Sequence, residues 1–250
     1  MRVVSLCPSL TELVFALGCG DQLVGRTRFC VHPAGAIDAV EKVGGTKNPR
    51  IERIVALAPD LVLMNEEENR VEDADALRSA GLHCHTSMPR GVADTAATVR
   101  SVGVTLGRED EAERIAREME ARHAQVRAAT KGRPPVPFAY LIWRKPYMVA
   151  GGDTYVSALL SDAGGRNVFA GGERYPSVTA DELGTADPSL LLLSSEPFPF
   201  SERNSEELAA ETGIPVSHHR LVDGELLSWH GPRTAAGLEY AHDLLRGARR

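Results

Sequence analysis

The sequence predicts an α/β protein of two Rossmann-like lobes with parallel-rich central sheets, joined by one long backbone helix. Three observations carry that expectation. Apolar strands alternate with helical segments along the chain, the pattern of parallel strands with crossover helices. Residues 108–130 are dense in Glu, Arg and Ala and contain no Gly or Pro. The stretches on either side echo one another: a helix, a proline, an apolar strand and an acidic turn at 51–69 recur from 180 onward. The expected division is an N-terminal lobe over 1–107, the backbone helix over 108–131 and a C-terminal lobe over 132–250.

Val3-Val4-Ser5-Leu6 reads as the first strand. Ser9-Leu10-Thr11-Glu12 has the pattern of a capping box, predicting a helix start at Ser9 with Leu10, Leu13, Val14 and Leu17 on one face and Gly18 as its stop. A short strand at Leu23-Val24 and a loop over 26–33 follow, then a helix over 51–58 ended by Pro59. Residues 61–64 form a buried-type strand, 65–69 an acidic turn, 71–80 a helix and 82–85 a strand. Ile115, Met119, His123 and Val126 form one stripe of the long helix, which Gly132-Arg133-Pro134-Pro135 ends. Strands at 138–142 and 147–149 are joined by the turn Arg144-Lys145-Pro146. Thr179-Ala180-Asp181-Glu182 is a second capping box, before a helix to 186 and a strand at 190–192.

With 250 residues, 43% hydrophobic and 25% charged, the composition is that of an ordinary globular protein with ample core. The formal charge of −6 and the lack of a basic block other than Arg249-Arg250 argue against nucleic acid as a partner. No apolar run has the length of a membrane-spanning helix, and the N-terminus lacks the regions of a signal peptide, which leaves a cytoplasmic location and an export signal already removed as alternatives. Cys7, Cys19, Cys30 and Cys84 have no C-x-x-C spacing and read as free thiols, with a distant disulfide as the alternative.

Two strings then become meaningful: Ser5-Leu6-Cys7-Pro8-Ser9-Leu10-Thr11-Glu12, and Arg53-Ile54-Val55-Ala56-Leu57-Ala58-Pro59-Asp60-Leu61-Val62. Together they resemble the periplasmic solute-binding proteins with a helical backbone that serve ABC importers, most of all the vitamin B12-binding members. Leu77 to Gly81, Gly164 to Phe169 and Ser228-Trp229 extend the resemblance over nearly the whole chain. It implies a binding protein and not an enzyme, holding a metal chelate or corrinoid (cobalamin, haem or a siderophore) in the cleft between lobes. It also implies no intrinsic cofactor, a monomer, an importer permease as partner and a location outside the cytoplasm. Two alternatives remain: a direct transition-metal receptor, and a cytoplasmic enzyme or sensor on the same scaffold.

Candidate ligand-binding residues fall in loops at strand ends: Pro8, Ser9, Phe29, Lys47, Asn65, Glu66, Trp143, Arg144, Tyr175, Trp229 and His230. With only two Trp, five Tyr and six Phe in the chain, four aromatics in these loops suit the faces of a flat macrocycle, while closure of loops over the core is the plain alternative. By the resemblance, Phe29 and Tyr175 match aromatic contacts of the B12-binding members and Trp229 lies close to another. Where those proteins carry a tryptophan after the Pro-Asp-Leu-Val strand, this chain has Asn65 and three glutamates, a more polar wall. His32 and His230 are candidate metal ligands, though without ligand spacing and with exposed hydrogen bonding as the alternative. His83 and His85 share a strand face with Cys84 opposite, and His218-His219 reads as solvated. Gly151-Gly152-Asp153-Thr154 reads either as an anion cradle or as a tight turn with Asp153 or Thr154 as helix cap. No nucleophile elbow, Walker loop, H-E-x-x-H or dinucleotide fingerprint is present. For docking to an importer, the resemblance implies one acid per lobe: Glu72, beside Val71, and Glu206, among Glu202 and Glu207.

Overall fold

The structure is a computed structural model and describes residues 1–248; the pair Arg249-Arg250 lies outside them. The chain forms two compact units. The first comprises 1–89, 93–118 and 230–232; the second comprises 90–92, 119–229 and the chain from 233 onward.

The first unit opens with β1 (Val3–Ser5), α1 (Pro8–Ala16), β2 (Leu23–Arg26), β3 (Glu41–Lys42), α2 (Ile51–Ala56), β4 (Leu61–Asn65), α3 (Val71–Ser79) and β5 (Cys84–Ser87). All five strands are parallel, in the order β3-β2-β1-β4-β5. Every residue of β1 and β4 is buried, which is why Val3-Val4 and Leu61-Val62-Leu63-Met64 read as continuous apolar runs and not as alternating ones. Val4, Leu6, Val62 and Met64 pack with Ile54, Ala74 and Leu77 from α2 and α3. Burial of each large aliphatic side chain contributes roughly 1.5–3 kcal/mol.

Two local expectations give way. The capping box at Ser9 does not form: α1 starts one residue earlier, with Cys7 as N-cap and Pro8 in the first turn. Proline's fixed φ and missing N–H suit that position, so no side-chain cap is used. The strand expected at 82–85 begins at Cys84, because Gly81 and Leu82 close α3 instead. Gly81, at φ 81°, donates to Arg78 O and Leu82 to Leu77 O, the paired bonds of a Schellman stop.

α4 (Val92–Leu106) and α5 (Glu109–Thr130) follow, and the division between the units falls inside α5, after Glu118. α5 runs unbroken for 22 residues, as expected. Its exposed face carries Arg114 paired with Glu111 at 2.7 Å and Arg117 with Glu113 at 2.6 Å, pairs worth a few tenths of a kcal/mol each.

The second unit contains β6 (Val136–Trp143), β7 (Tyr147–Val149), α6 (Tyr155–Asp162), β8 (Gly165–Asn167), β9 (Ser177–Val178), α7 (Ala180–Ala186), β10 (Leu190–Ser194), α8 (Glu202–Thr212), β11 (His219–Val222), α9 (Gly224–Ser228) and α10 (Thr234–Gly247). Its sheet is mixed: β11-β10-β6 run parallel, β8 pairs parallel with the start of β6, and β7 and β9 extend the sheet antiparallel. Its core joins Ala139, Leu141, Leu191 and Leu193 to Leu183 of α7 and Leu208 of α8. The expected capping box at Thr179 and Glu182 forms. Of the two caps considered for α6, Thr154 is used: its hydroxyl accepts from Ser157 N. His219, expected to be solvated, is buried at the start of β11, where its Nδ1 shares a 2.7 Å hydrogen bond with Ser205 Oγ of α8. All four cysteines are free thiols. Among the described residues no helix is long and apolar enough to cross a membrane.

Candidate functional site

In an open parallel sheet, ligands sit beyond the carboxyl ends of the strands where the strand order reverses. In the first unit the chain runs outward from β1 through β2 to β3, then restarts on the other side with β4 and β5, so the reversal lies between β1 and β4. The loop after β1 leads into Pro8-Ser9, and the turn after β4 starts at Asn65. Asn65 Oδ1 accepts from the amides of Glu67 and Glu68 at 3.0 and 3.1 Å, which fixes its Nδ2 as the outward donor. That nitrogen reaches Ser87 O at 3.0 Å and His230 Nε2 at 3.1 Å. Nε2 therefore accepts, and the imidazole is neutral with its proton on Nδ1. Ser9 Oγ lies 3.4 Å from the same Nε2 and 3.3 Å from Cys7 Sγ. His230 is only 8% exposed, and burial lowers its pKa to about 4; burial raises that of the Cys7 thiol to about 12.

Asn69 braces the same turn, donating to Leu6 O and Thr46 O at 3.0 Å each while its Oδ1 accepts from Asn65 N at 2.8 Å. Lys47 Nζ donates to Glu67 O at 2.6 Å, so this cation is committed to the turn. Glu66 is exposed; burial, followed by the neighbouring Glu67, raises the pKa of Glu68. The loop after β2 is pinned by buried Arg26, which donates to Ile37 O at 3.2 Å and Cys30 O at 2.8 Å. That leaves Phe29 47% exposed, with the Arg28 guanidinium 4.8 Å from its ring centre. His32 is half-buried in the same loop.

In the second unit the order reverses between β6 and β10. β6 ends in Trp143, 39% exposed, which meets Phe198 from the loop after β10 edge to face at 5.8 Å; Phe198 in turn meets Phe200 at 4.8 Å. Arg144, next to Trp143, is held by Glu207 and by Glu211 at 3.3 Å on α8. Below them Tyr140 Oη bonds Ser194 Oγ at 2.9 Å and Ser228 Oγ at 3.3 Å, and burial pushes its pKa up to about 12. Trp229 is 8% exposed and fixed on two sides: its Nε1 donates to Glu196 Oε1 at 2.7 Å, and Arg233 lies 5.0 Å from its ring centre. Arg233 also pairs with Glu225 at 3.1 Å. Tyr175 is half-buried beside Arg174, whose backbone N donates to Asp153 Oδ1 at 2.6 Å. A cavity of about 580 Å³ opens at the ends of β10 and β11, lined by Leu193, Ser195, Glu196, Phe200, Leu221, Val222, Asp223 and Glu225.

The sequence pattern of the family described as periplasmic binding protein matches residues 3–212. The chain belongs to that family. Among its relatives, the vitamin B12-binding protein of Vibrio parahaemolyticus is 28% identical over 194 residues, 77% of this chain and 70% of that protein. That of Photorhabdus laumondii is 28% identical over 195 residues, 78% of this chain and 70% of its own. Among solved structures, the periplasmic haem-binding protein of Roseiflexus sp. RS-1 superposes with a TM-score of 0.84 at 27% identity, covering 99% of this chain and 97% of the other. The periplasmic vitamin B12-binding protein of Vibrio cholerae reaches 0.86 at 23% identity, over 100% and 98%, a likeness of fold. The family is one of binding proteins, and the two solved structures are of periplasmic proteins. The resemblance read from 5–12 and 53–62 is thus borne out, as is the α/β fold class.

Within this family member, the expected residues separate into two sets. Ser9, Asn65 and His230 form one hydrogen-bonded group beside Pro8, and Lys47 grips the turn that carries Glu66. Trp143 joins an aromatic cluster, whereas Trp229 and Arg144 are tied into their own unit. Glu72 on α3 and Glu206 on α8 are both exposed. Among the described residues no three or more His, Cys, Asp or Glu side chains gather as a metal site. Sequence reasoning passed over Glu196, Phe198, Phe200 and Asp223. The internal echo held the signal, since it makes the loop after β10 the sequence counterpart of the turn after β4.

Proposed function

We propose that this chain is the solute-binding component of an ABC-type importer and that its solute is a metal chelate of the cobalamin or haem kind. The observation that carries this reading is what stands at the strand-order reversals of this periplasmic binding protein. A fixed polar group, Ser9-Asn65-His230, occupies one, and an exposed indole backed by two phenyl rings occupies the other. Rigid aromatic faces with a few fixed polar groups suit a flat, largely apolar macrocycle. The names of the relatives, which bind vitamin B12 or haem, point the same way. On this reading Phe29, Trp143 and Tyr175 supply faces, and Trp229 is a framework residue that holds Glu196 in place. The chelate is cargo and not a cofactor, no turnover takes place, and the protein works as an extracytoplasmic monomer that docks to a permease.

Titration of the purified protein with cyanocobalamin and with hemin, followed by absorbance and tryptophan fluorescence, tests the reading. Saturable binding of one of them at micromolar Kd or tighter, about −8 kcal/mol, is expected. Saturation by Mn²⁺ or Zn²⁺ with neither macrocycle bound would replace it with an ion receptor.

A further inference from the structure

We propose that the cavity at the ends of β10 and β11 is a subsite for the periphery of the macrocycle, built to receive carboxamide N–H groups and to turn away carboxylates. The inference rests on the cargo reading above and narrows it. The cavity floor is apolar, made by Leu193, Phe200 and Val222, and its rim carries Glu196, Asp223 and Glu225. Among the described residues that line it, none is basic. Ionised carboxylates only accept hydrogen bonds, so the rim offers acceptor oxygens to a donor-bearing solute and like charge to an anionic one.

These acceptors are set in place by the protein's own frame. Glu196 receives the Trp229 indole N–H at 2.7 Å. Asp223 caps α9 by accepting from Leu226 N at 3.0 Å, and Glu225 is held by Arg233 at 3.1 Å. Gly224 lets the two turns close on each other: a Cβ there would stand 2.7 Å from Glu196 Cγ and also run into Ser194 Oγ. At about 580 Å³, the cavity admits peripheral side chains and lies within the usual range for small-molecule sites. Two cationic side chains near the strand ends of this unit are already paired, Arg144 with Glu207 and Glu211, and Arg174 with Asp153. The two propionates of haem and the amide-bearing rim of a corrin are therefore treated oppositely here.

The test compares two corrinoids that share ring and cobalt: dicyanocobinamide, whose periphery is amide, and dicyanocobyrinic acid, whose periphery is carboxylate, with hemin as a third probe. Calorimetry on the full chain near neutral pH should show the amide binding at least about tenfold more tightly than the acid. The double variant Glu196→Gln, Asp223→Asn keeps the oxygens that serve Trp229 and Leu226 while removing two charges. It should narrow the gap to within about threefold, chiefly by tightening the acid. As an independent measure on the unaltered chain, raising salt from about 50 to about 500 mM should narrow the gap as well, because screening weakens exposed like-charge repulsion. Equal affinity for amide and acid, or a gap unmoved by both the substitutions and salt, overturns the subsite. If neither corrinoid nor hemin binds, the cargo reading itself fails and the subsite falls with it.

Discussion

Asn65 Nδ2 donates to His230 Nε2 across 3.1 Å, holding a buried imidazole in its neutral form at the strand-order reversal of the first unit. Stability should depend on pH accordingly. The unfolded chain takes up this proton below about 6.5 and the folded chain only near 4, so between those values the unfolded state binds more protons. Stability therefore falls as pH drops through that window, by up to about 3 kcal/mol from this group. Urea unfolding at several pH values, comparing wild type with His230→Gln, should show a shallower slope in the variant. Equal slopes would mean that the imidazole titrates normally.

Tyr140→Phe removes a hydroxyl that bonds both Ser194 and Ser228 in a fully buried position. A loss of about 1–3 kcal/mol is expected, because the two serines lose a shared partner. Thermal unfolding should show it, with the fold intact by circular dichroism.

Trp143→Ala and Tyr175→Ala are expected to weaken solute binding by about 1–3 kcal/mol each with little change in stability, since stacked aromatic anchors dominate such sites. Trp229→Ala is a different case. That side chain is 8% exposed, and its removal should lower stability by about 3–5 kcal/mol as well as affinity. Calorimetry paired with melting curves separates the two kinds of effect.

Gly151→Ala sets a Cβ against the backbone carbonyl of Gly172, which cannot swing away as a side chain would. A destabilisation of about 3 kcal/mol is expected, against almost none for Gly171→Ala, where the added carbon meets nothing within 4 Å. A melting temperature unchanged by Gly151→Ala would show that this turn yields.

As part of the proposed function, we propose that docking to a permease uses exposed Glu72 and Glu206. Reversing both to Lys should abolish stimulation of the transporter's ATPase while leaving solute affinity within about twofold, because rim charges act through encounter and orientation. Full stimulation by the double variant would remove these residues from the interface.

The fold was legible where its causes are local. The unbroken charge pattern of α5 and the apolar runs of β4 and β10 state their own structure. Near-neighbour competition hid the rest: Pro8 overrode the capping signal of Ser9, and the Gly81-Leu82 stop delayed β5. α4 carries a regular buried stripe of Val92, Ala96, Val99, Val102 and Leu106 that the expected element order did not include. At the site, loops after strands are readable in one dimension, which is how Ser9, Asn65 and Trp143 were reached. Glu196, Phe198 and Asp223 were not, since what they touch is decided by β10 lying between β6 and β11. The burial of His219 rests in the same way on α8 folding back over β11.

The three residues His230–Pro232 return to a unit that the chain otherwise leaves at Glu118. His230 meets Asn65 across 165 positions and Ser9 across 221. During synthesis, then, the first unit stays unfinished until residue 230 has left the ribosome, its polar centre waiting for an imidazole 165 residues beyond Asn65. Contacts of such separation form late and slowly. A gene fragment stopping at Glu118 would encode a sheet with a hole where that ring belongs, and adding the missing tripeptide through a short linker is the repair to try first.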